Sequence, residues 1–196
     1  MSQPVLICRP GERGEALAAA LRERGENVES LNVMQLEALP ETPEMRRIWL
    51  DIDQYHKIIV ISPFAATCLS EALDRFWPQL PIGIDYYSVG SATAATLYDQ
   101  LGVRVHVPDL SAGEDTSEAL LALASLQQLA HQRILLVAGE GGRPLLAETL
   151  AERGALVTRA AVYRRRFQPL APTLQTRLSS GNYRALIVTS SELLEH

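Results

Sequence analysis

The sequence predicts an α/β protein of parallel sheets, and three observations carry that reading. Short β-branched apolar runs alternate with amphipathic helical stretches along the whole chain, the pattern of buried strands covered by crossover helices. Ile58–Ile61 is one such run, and Ser62 and Pro63 directly after it have the chemistry of an N-cap and a first helical residue. The chain also echoes itself. At an offset of 129 positions Val5–Cys8 falls on Ile134–Val137, Glu23-Arg24-Gly25 on Glu152-Arg153-Gly154, and Val28 on Val157. At an offset of 128, Tyr55–Ser62 falls on Tyr183–Ser190. Two echoes at nearly one offset argue for an internally duplicated α/β unit. The second copy is expected to be incomplete, because it stops at His196, just past its strand-Ser-helix element.

In chain order, Val5–Cys8 reads as a strand, followed by a helix to Arg24 that Gly25 ends. Val28–Val33 reads as a second strand, and Leu39–Pro43 as a linker. A short helix bearing Ile48, Trp49 and Ile52 leads into strand Ile58–Ile61, whose helix runs to about Phe76. Tyr86–Val89 is a strand and Ala92–Leu101 a helix stopped by Gly102. Val103, Val105 and Val107 alternate with Arg104 and His106, as on an edge strand. Ser111 and Glu114 have capping-box spacing before a Leu- and Ala-rich helix to about Gln128. Ile134–Val137 is a strand, a helix from Pro144 ends at Gly154, and Val157–Phe167 is a long strand. Polar, Pro-containing sequence then leads to the last strand, Leu186–Thr189.

Composition narrows the function. A net charge of −5 disfavours general nucleic-acid binding. No apolar run approaches the ~20 residues that span a bilayer, so no membrane partner is expected. Cys8 and Cys68 lack CxxC spacing and read as reduced core thiols of a cytoplasmic protein. The four His are scattered, so no metal site is expected.

Loops at strand ends are the candidate sites, since open α/β sheets bind ligands there. They are Ser62-Pro63-Phe64, Gly90-Ser91-Ala92-Thr93, Gly139-Glu140-Gly141-Gly142 and Ser190-Ser191. Simple helix capping competes with ligand binding at each Ser and Thr. The third loop has Gly-x-Gly without a third glycine, and no P-loop Lys follows it, which disfavours a nucleotide enzyme. Tyr163 reads first as a packing residue. Arg164–Arg166 reads first as a solvated face, or, with Arg9, Arg13 and Arg143, as a collector of carboxylates.

In order and spacing these motifs resemble the uroporphyrinogen-III synthase family. The resemblance spans Val5–Pro10, Ile61-Ser62-Pro63, Val89–Ala94, Gly139–Arg143, Gly154–Val157, Val162-Tyr163 and Val188-Thr189-Ser190. It implies two similar flavodoxin-like parallel-sheet domains joined by a two-stranded connector. One domain would be residues 1–33 plus 168–196, discontinuous and incomplete, and the other residues 36–163. The connectors would be about 31–35 and 161–167. The family normally continues through a further Gly-x-x-Thr loop, so the chain is expected to be truncated at its C-terminus. The reaction implied is closure of hydroxymethylbilane to uroporphyrinogen III, with loss of water and inversion of ring D, in tetrapyrrole (heme) biosynthesis. No cofactor is implied, and a monomer is expected. Motif match makes Tyr163 the catalytic candidate, its phenol helping the hydroxyl leave. Arg9, Ser62, Pro63, Phe64, Gly90, Ser91, Thr93, Gly139, Gly141, Ser190 and Ser191 are implied to bind the substrate. The competing reading is a hinge-type two-domain protein that binds a small anion and does no chemistry.

Overall fold

The computed structural model describes residues 3–9, 12–31, 34–109, 116–167 and 170–188, with side chains from residue 14 within the first helix. In chain order the elements are β1 (Val5–Cys8), α1 (Glu12–Glu23), β2 (Val28–Ser30), β3 (Met34–Ala38), α2 (Pro43–Leu50) and a 3₁₀ turn at Ile52–Gln54. Next come β4 (Lys57–Val60), α3 (Pro63–Phe76), β5 (Asp85–Ser88), α4 (Ser91–Leu101), β6 (Val105–His106) and α5 (Ser117–Leu121). A 3₁₀ turn at Ala124–Leu126 precedes β7 (Arg133–Gly139), α6 (Leu145–Glu152), β8 (Leu156–Phe167), α7 (Pro172–Ser180) and β9 (Ala185–Val188). The chain divides into two compact units, Met1–Glu37 with Arg165–His196, and Ala38–Arg164.

The smaller unit holds a three-stranded sheet in the order β2-β1-β9, parallel throughout. All four residues of β1 are buried, because helices cover both faces. Val5 and Ile7 pack with Leu17, Ala18 and Leu21 of α1. Leu6 and Cys8 pack with Leu174 and Leu178 of α7.

In the larger sheet the strand order is β3-β8-β7-β4-β5-β6, and β8, β7, β4, β5 and β6 run parallel. β3 and β8 each run across a boundary between the units. Ile59, Tyr87, Ile134 and Leu136 face α5 and α6 through Leu120, Leu121, Leu146 and Leu150. Ile58, Val60, Leu135 and Val137 are equally buried and by alternation face the other side, where α3 packs. At the sheet edge Val103, Val105 and Val107 are half-buried while Arg104 and His106 are exposed, the alternation expected of an edge strand.

Local capping explains several helix boundaries. Thr42 Oγ1 accepts from Met45 N at 3.1 Å to start α2. Gly102 ends α4 at φ 68°, a left-handed cap that glycine adopts without penalty.

The structure and the sequence reading differ in four places. The strand expected over Val28–Val33 stops at Ser30, and Met34–Ala38 forms a strand of its own, where Met34, Leu36 and Ala38 alternate with Gln35 and Glu37. The helix expected to reach Gln128 is instead α5, capped by Thr116 Oγ1 and ending at Leu121. Gln127 Nε2 and Arg153 Nη1 both donate to Leu121 O, taking an acceptor that a longer helix would use. Ser111 and Glu114 lie outside the described residues. The polar, Pro-containing segment after Phe167 contains α7, begun by Pro172 and ended by Gly181 at φ 72°. Finally, the last strand is Ala185–Val188, with Thr189 outside the described residues.

One core residue breaks the usual accounting. The Tyr86 hydroxyl is buried and, among the described residues, has no hydrogen-bond partner. Tyr86→Phe should therefore raise stability, by up to about 1 kcal/mol, because it removes an unsatisfied buried group. Burial also pushes the Tyr86 phenol above its ordinary value of 10.0. The parent should lose stability as pH climbs past that value, where the unfolded chain gives up its proton first. The Phe variant should lack that loss. Thermal melts of both proteins at neutral and alkaline pH check this, and a lower melting temperature for Tyr86→Phe at neutral pH would count against it.

Candidate active site

The site is built at the carboxyl ends of β4 and β7. Ser62 follows β4 with an extended backbone, φ −146° and ψ 161°. Its Oγ accepts from Ala65 N at 3.2 Å, so Ser62 does cap α3. The same hydroxyl also donates to the Tyr163 hydroxyl oxygen at 3.1 Å. One hydroxyl has a donor and two lone pairs, and here capping leaves the donor available.

Tyr163 belongs to β8, and β7 lies between β8 and β4. Adjacent strands are about 4.8 Å apart, so the Tyr163 ring must cross β7 to reach Ser62. Gly139 makes room for that crossing. A Cβ built on Gly139 would lie 2.6 Å from Cε2 and 2.6 Å from Cζ of Tyr163. The Phe64 ring closes the other side, edge-on to Tyr163 with centroids 5.2 Å apart and planes at 72°, a favourable aromatic geometry. Tyr163 is only 4% exposed.

A β-bulge aims the ring. Ala138 pairs with Ala161, but Gly139 pairs with Tyr163, leaving Val162 as an extra residue on β8. Two residues opposite one turn the following side chain over. Arg159 stands opposite Leu136, on the side facing α6. Uninterrupted alternation would put Tyr163 there too, and the bulge sends it to the α3 side. The bulged peptide is held by Leu39 N, which donates to Val162 O at 2.9 Å, and Glu140 N, which donates to Tyr163 O at 2.8 Å.

Of the candidate residues, Ser62, Phe64, Gly139 and Tyr163 thus meet in one cluster. Pro63 is exposed at the first turn of α3. Gly90 caps α4 one strand further along, where Ser88 Oγ donates to Gly90 O at 2.9 Å; Ser91 is exposed and Thr93 buried. Gly141 is exposed at φ 73°. Arg9 is half-buried after β1 in the smaller unit. Ser190 and Ser191 lie outside the described residues, as does the Arg13 side chain.

Two features of the Gly139–Arg143 loop were not legible in the sequence. Arg159 Nη2 donates to Gly139 O at 3.1 Å and also to Gly141 O. Arg143, read as a possible carboxylate collector, donates instead to Glu118 Oε1 at 2.6 Å. That bond holds the exposed Glu118 carboxyl below its ordinary value. The single available signal was an Arg between Val157 and Ala161 on an otherwise apolar strand face.

Behind the bulge lies a cavity of about 100 Å³ lined by Leu39, Trp49, Cys68, Arg75 and Val162 among others. Cys68 Sγ donates to Val162 O at 3.9 Å. Burial, and then the Glu71 charge, push its thiol up to about 11, leaving it little thiolate character at neutral pH. Among the described residues no group of three or more His, Cys, Asp or Glu could hold a metal ion. Among them, too, no helix is long and apolar enough to cross a membrane.

Parallel strands with polar loops and a tyrosine gathered at their carboxyl ends define an α/β protein of the kind that binds ligands at that edge. The chain belongs to the uroporphyrinogen-III synthase family: the family described as Uroporphyrinogen-III synthase HemD matches residues 15–196. The Uroporphyrinogen-III synthase of Salmonella typhimurium is 31% identical over 192 residues, covering 97% of this chain and 77% of that protein. That of Proteus mirabilis is 31% identical over 163 residues, covering 83% of this chain and 80% of the relative. Among solved structures, a mutant uroporphyrinogen III synthase from the extremely thermophilic bacterium Thermus thermophilus matches with a TM-score of 0.69 and 24% identity, covering 98% of this chain and 75% of that one. The Helicobacter pylori 26695 uroporphyrinogen-III synthetase matches with a TM-score of 0.56 and 16% identity, covering 100% and 76%. At those identities the structures speak for the fold, which is α/β with mostly parallel sheets.

Proposed function

We propose that this chain is a cyclising lyase that closes hydroxymethylbilane to uroporphyrinogen III, with loss of water and inversion of ring D. The observation that carries the reading is the Tyr163 hydroxyl held by Ser62 at the strand ends of a chain in this family. As the substrate's C–O bond breaks, the Tyr163 O–H protonates the departing hydroxyl, which leaves as water. The Ser62 hydroxyl, already donating to the Tyr163 oxygen, steadies the negative charge that develops there. Uncatalysed closure yields the uninverted isomer, so the remaining work is control of substrate conformation. The substrate is a polycarboxylate. Its carboxylates are received by Ser62, Pro63 and Phe64, by Gly90, Ser91 and Thr93, by Gly139 and Gly141, and by Arg9, Ser190 and Ser191. Neither cofactor nor metal takes part, and nucleic acid and membrane are not partners. The chain acts as a cytoplasmic monomer.

The domains of this reading are residues 1–33 with 168–196, and 36–163, connected near 31–35 and 161–167, and they derive from an internal duplication. Strand registers support that origin. In the smaller sheet Leu6 pairs with Leu186 and Val5 with Val28. In the larger sheet the positions offset by 128 or 129 pair identically, Leu135 with Ile58 and Ile134 with Val157.

The test is incubation of the chain with freshly prepared hydroxymethylbilane and chromatographic separation of the products. Uroporphyrinogen III is the expected product. Binding without turnover would favour a small-anion binding protein, and formation of the uninverted isomer alone would overturn the reading.

A further inference from the structure

We infer that Arg159 is a positioning residue that shapes the Gly139–Gly142 loop to receive a substrate carboxylate. The inference rests on the proposed function and adds a residue to its machinery. Gly141 and Gly142 adopt φ of 73° and 84°, a left-handed backbone that glycine enters freely and also leaves freely. Both are exposed and bring no side chain to hold the turn. The Arg159 guanidinium supplies the hold. Its Nη2 donates to Gly139 O at 3.1 Å and to Gly141 O, and a Cβ on Gly142 would lie 3.6 Å from that nitrogen. A planar, permanently charged group placed against two carbonyls of one turn fixes their directions.

The direction of the carbonyls decides what the loop offers. In a trans peptide the C=O and the following N–H point in opposite directions. With Gly141 O on Arg159, the Gly142 N–H therefore points away from the guanidinium, on the exposed side of the turn. The Gly139–Glu140 peptide is committed on both sides, because Gly139 O meets Arg159 and Glu140 N donates to Tyr163 O at 2.8 Å. The loop is thus tied to the backbone of the residue proposed to assist water loss. At its far end Arg143 is engaged by Glu118, so the Arg143 head group is not what the loop presents. Arg159 acts through the backbone and leaves the Gly142 amide, beside Gly141, as a donor for a carboxylate.

The test compares Arg159→Ala and Arg159→Lys with the parent in steady-state kinetics on hydroxymethylbilane and in amide hydrogen exchange of residues 139–143. Arg159→Ala should raise KM about tenfold, the weight of a charge-assisted hydrogen bond, with kcat within about twofold of the parent, since Tyr163 is untouched. Exchange in the loop should accelerate. Arg159→Lys should fall between, because an ammonium donates to carbonyls without the planar fork; it also carries the test if the alanine variant fails to fold. An unchanged KM overturns the inference, whether or not exchange accelerates or the melting temperature falls. Failure of the proposed function reads differently, as a parent that forms no uroporphyrinogen III.

Discussion

Tyr163→Phe should lower turnover of hydroxymethylbilane about 10²-fold while leaving the fold intact. The substitution keeps the ring that packs edge-on to Phe64 and over Gly139, and removes only the hydroxyl that accepts from Ser62 at 3.1 Å. Loss of one positioned proton donor costs about 10²- to 10⁴-fold in rate, and the lability of the departing hydroxyl places the effect at the low end. A packing role predicts something else: near-parent turnover and a stability loss of about 1 kcal/mol from the broken hydrogen bond. Measuring kcat and the melting temperature on one preparation separates the two. Parent-like turnover would make Tyr163 a packing residue.

Gly139→Ala should damage both stability and turnover, although it adds a single methyl group. That methyl would lie 2.6 Å from the Tyr163 ring, well inside van der Waals contact. The ring has little room to retreat, with Phe64 on one side and its hydroxyl bonded to Ser62. Overpacking of this kind costs about 1–3 kcal/mol, and the displaced hydroxyl should lose most of its contribution to rate. Both substitutions act through one ring, so their effects on rate should not add. The Gly139→Ala/Tyr163→Phe double variant should turn over about as slowly as Tyr163→Phe alone. A Gly139→Ala protein with parent stability and turnover would show that the ring is free to move and that the crossing over β7 is not exacting.

Features that neighbouring residues decide were legible in the chain. The β-branched run before Ser62-Pro63 was readable as a buried strand entering a capped helix, since strand, cap and first turn are consecutive in the chain. α3 accordingly spans Pro63–Phe76. Gly102 as a stop and the alternation around Val105 were legible for the same reason. The misreadings lie where distant groups intervene. α5 ends early where Gln127 and Arg153 take the Leu121 carbonyl, and α7 owes its place to packing on Leu6 and Cys8 of β1. The candidate site divides in the same way. Ser62, Phe64, Gly139 and Tyr163 could each be singled out from local motifs, but their meeting depends on the order β8-β7-β4 and on one extra residue at Val162. A bulge is a mismatch between two strands, so neither strand's own sequence contains it. Strict alternation along β8 would have sent the Tyr163 ring to the α6 side. Only the pairing of β8 with β7 turns it over Gly139 and onto Ser62.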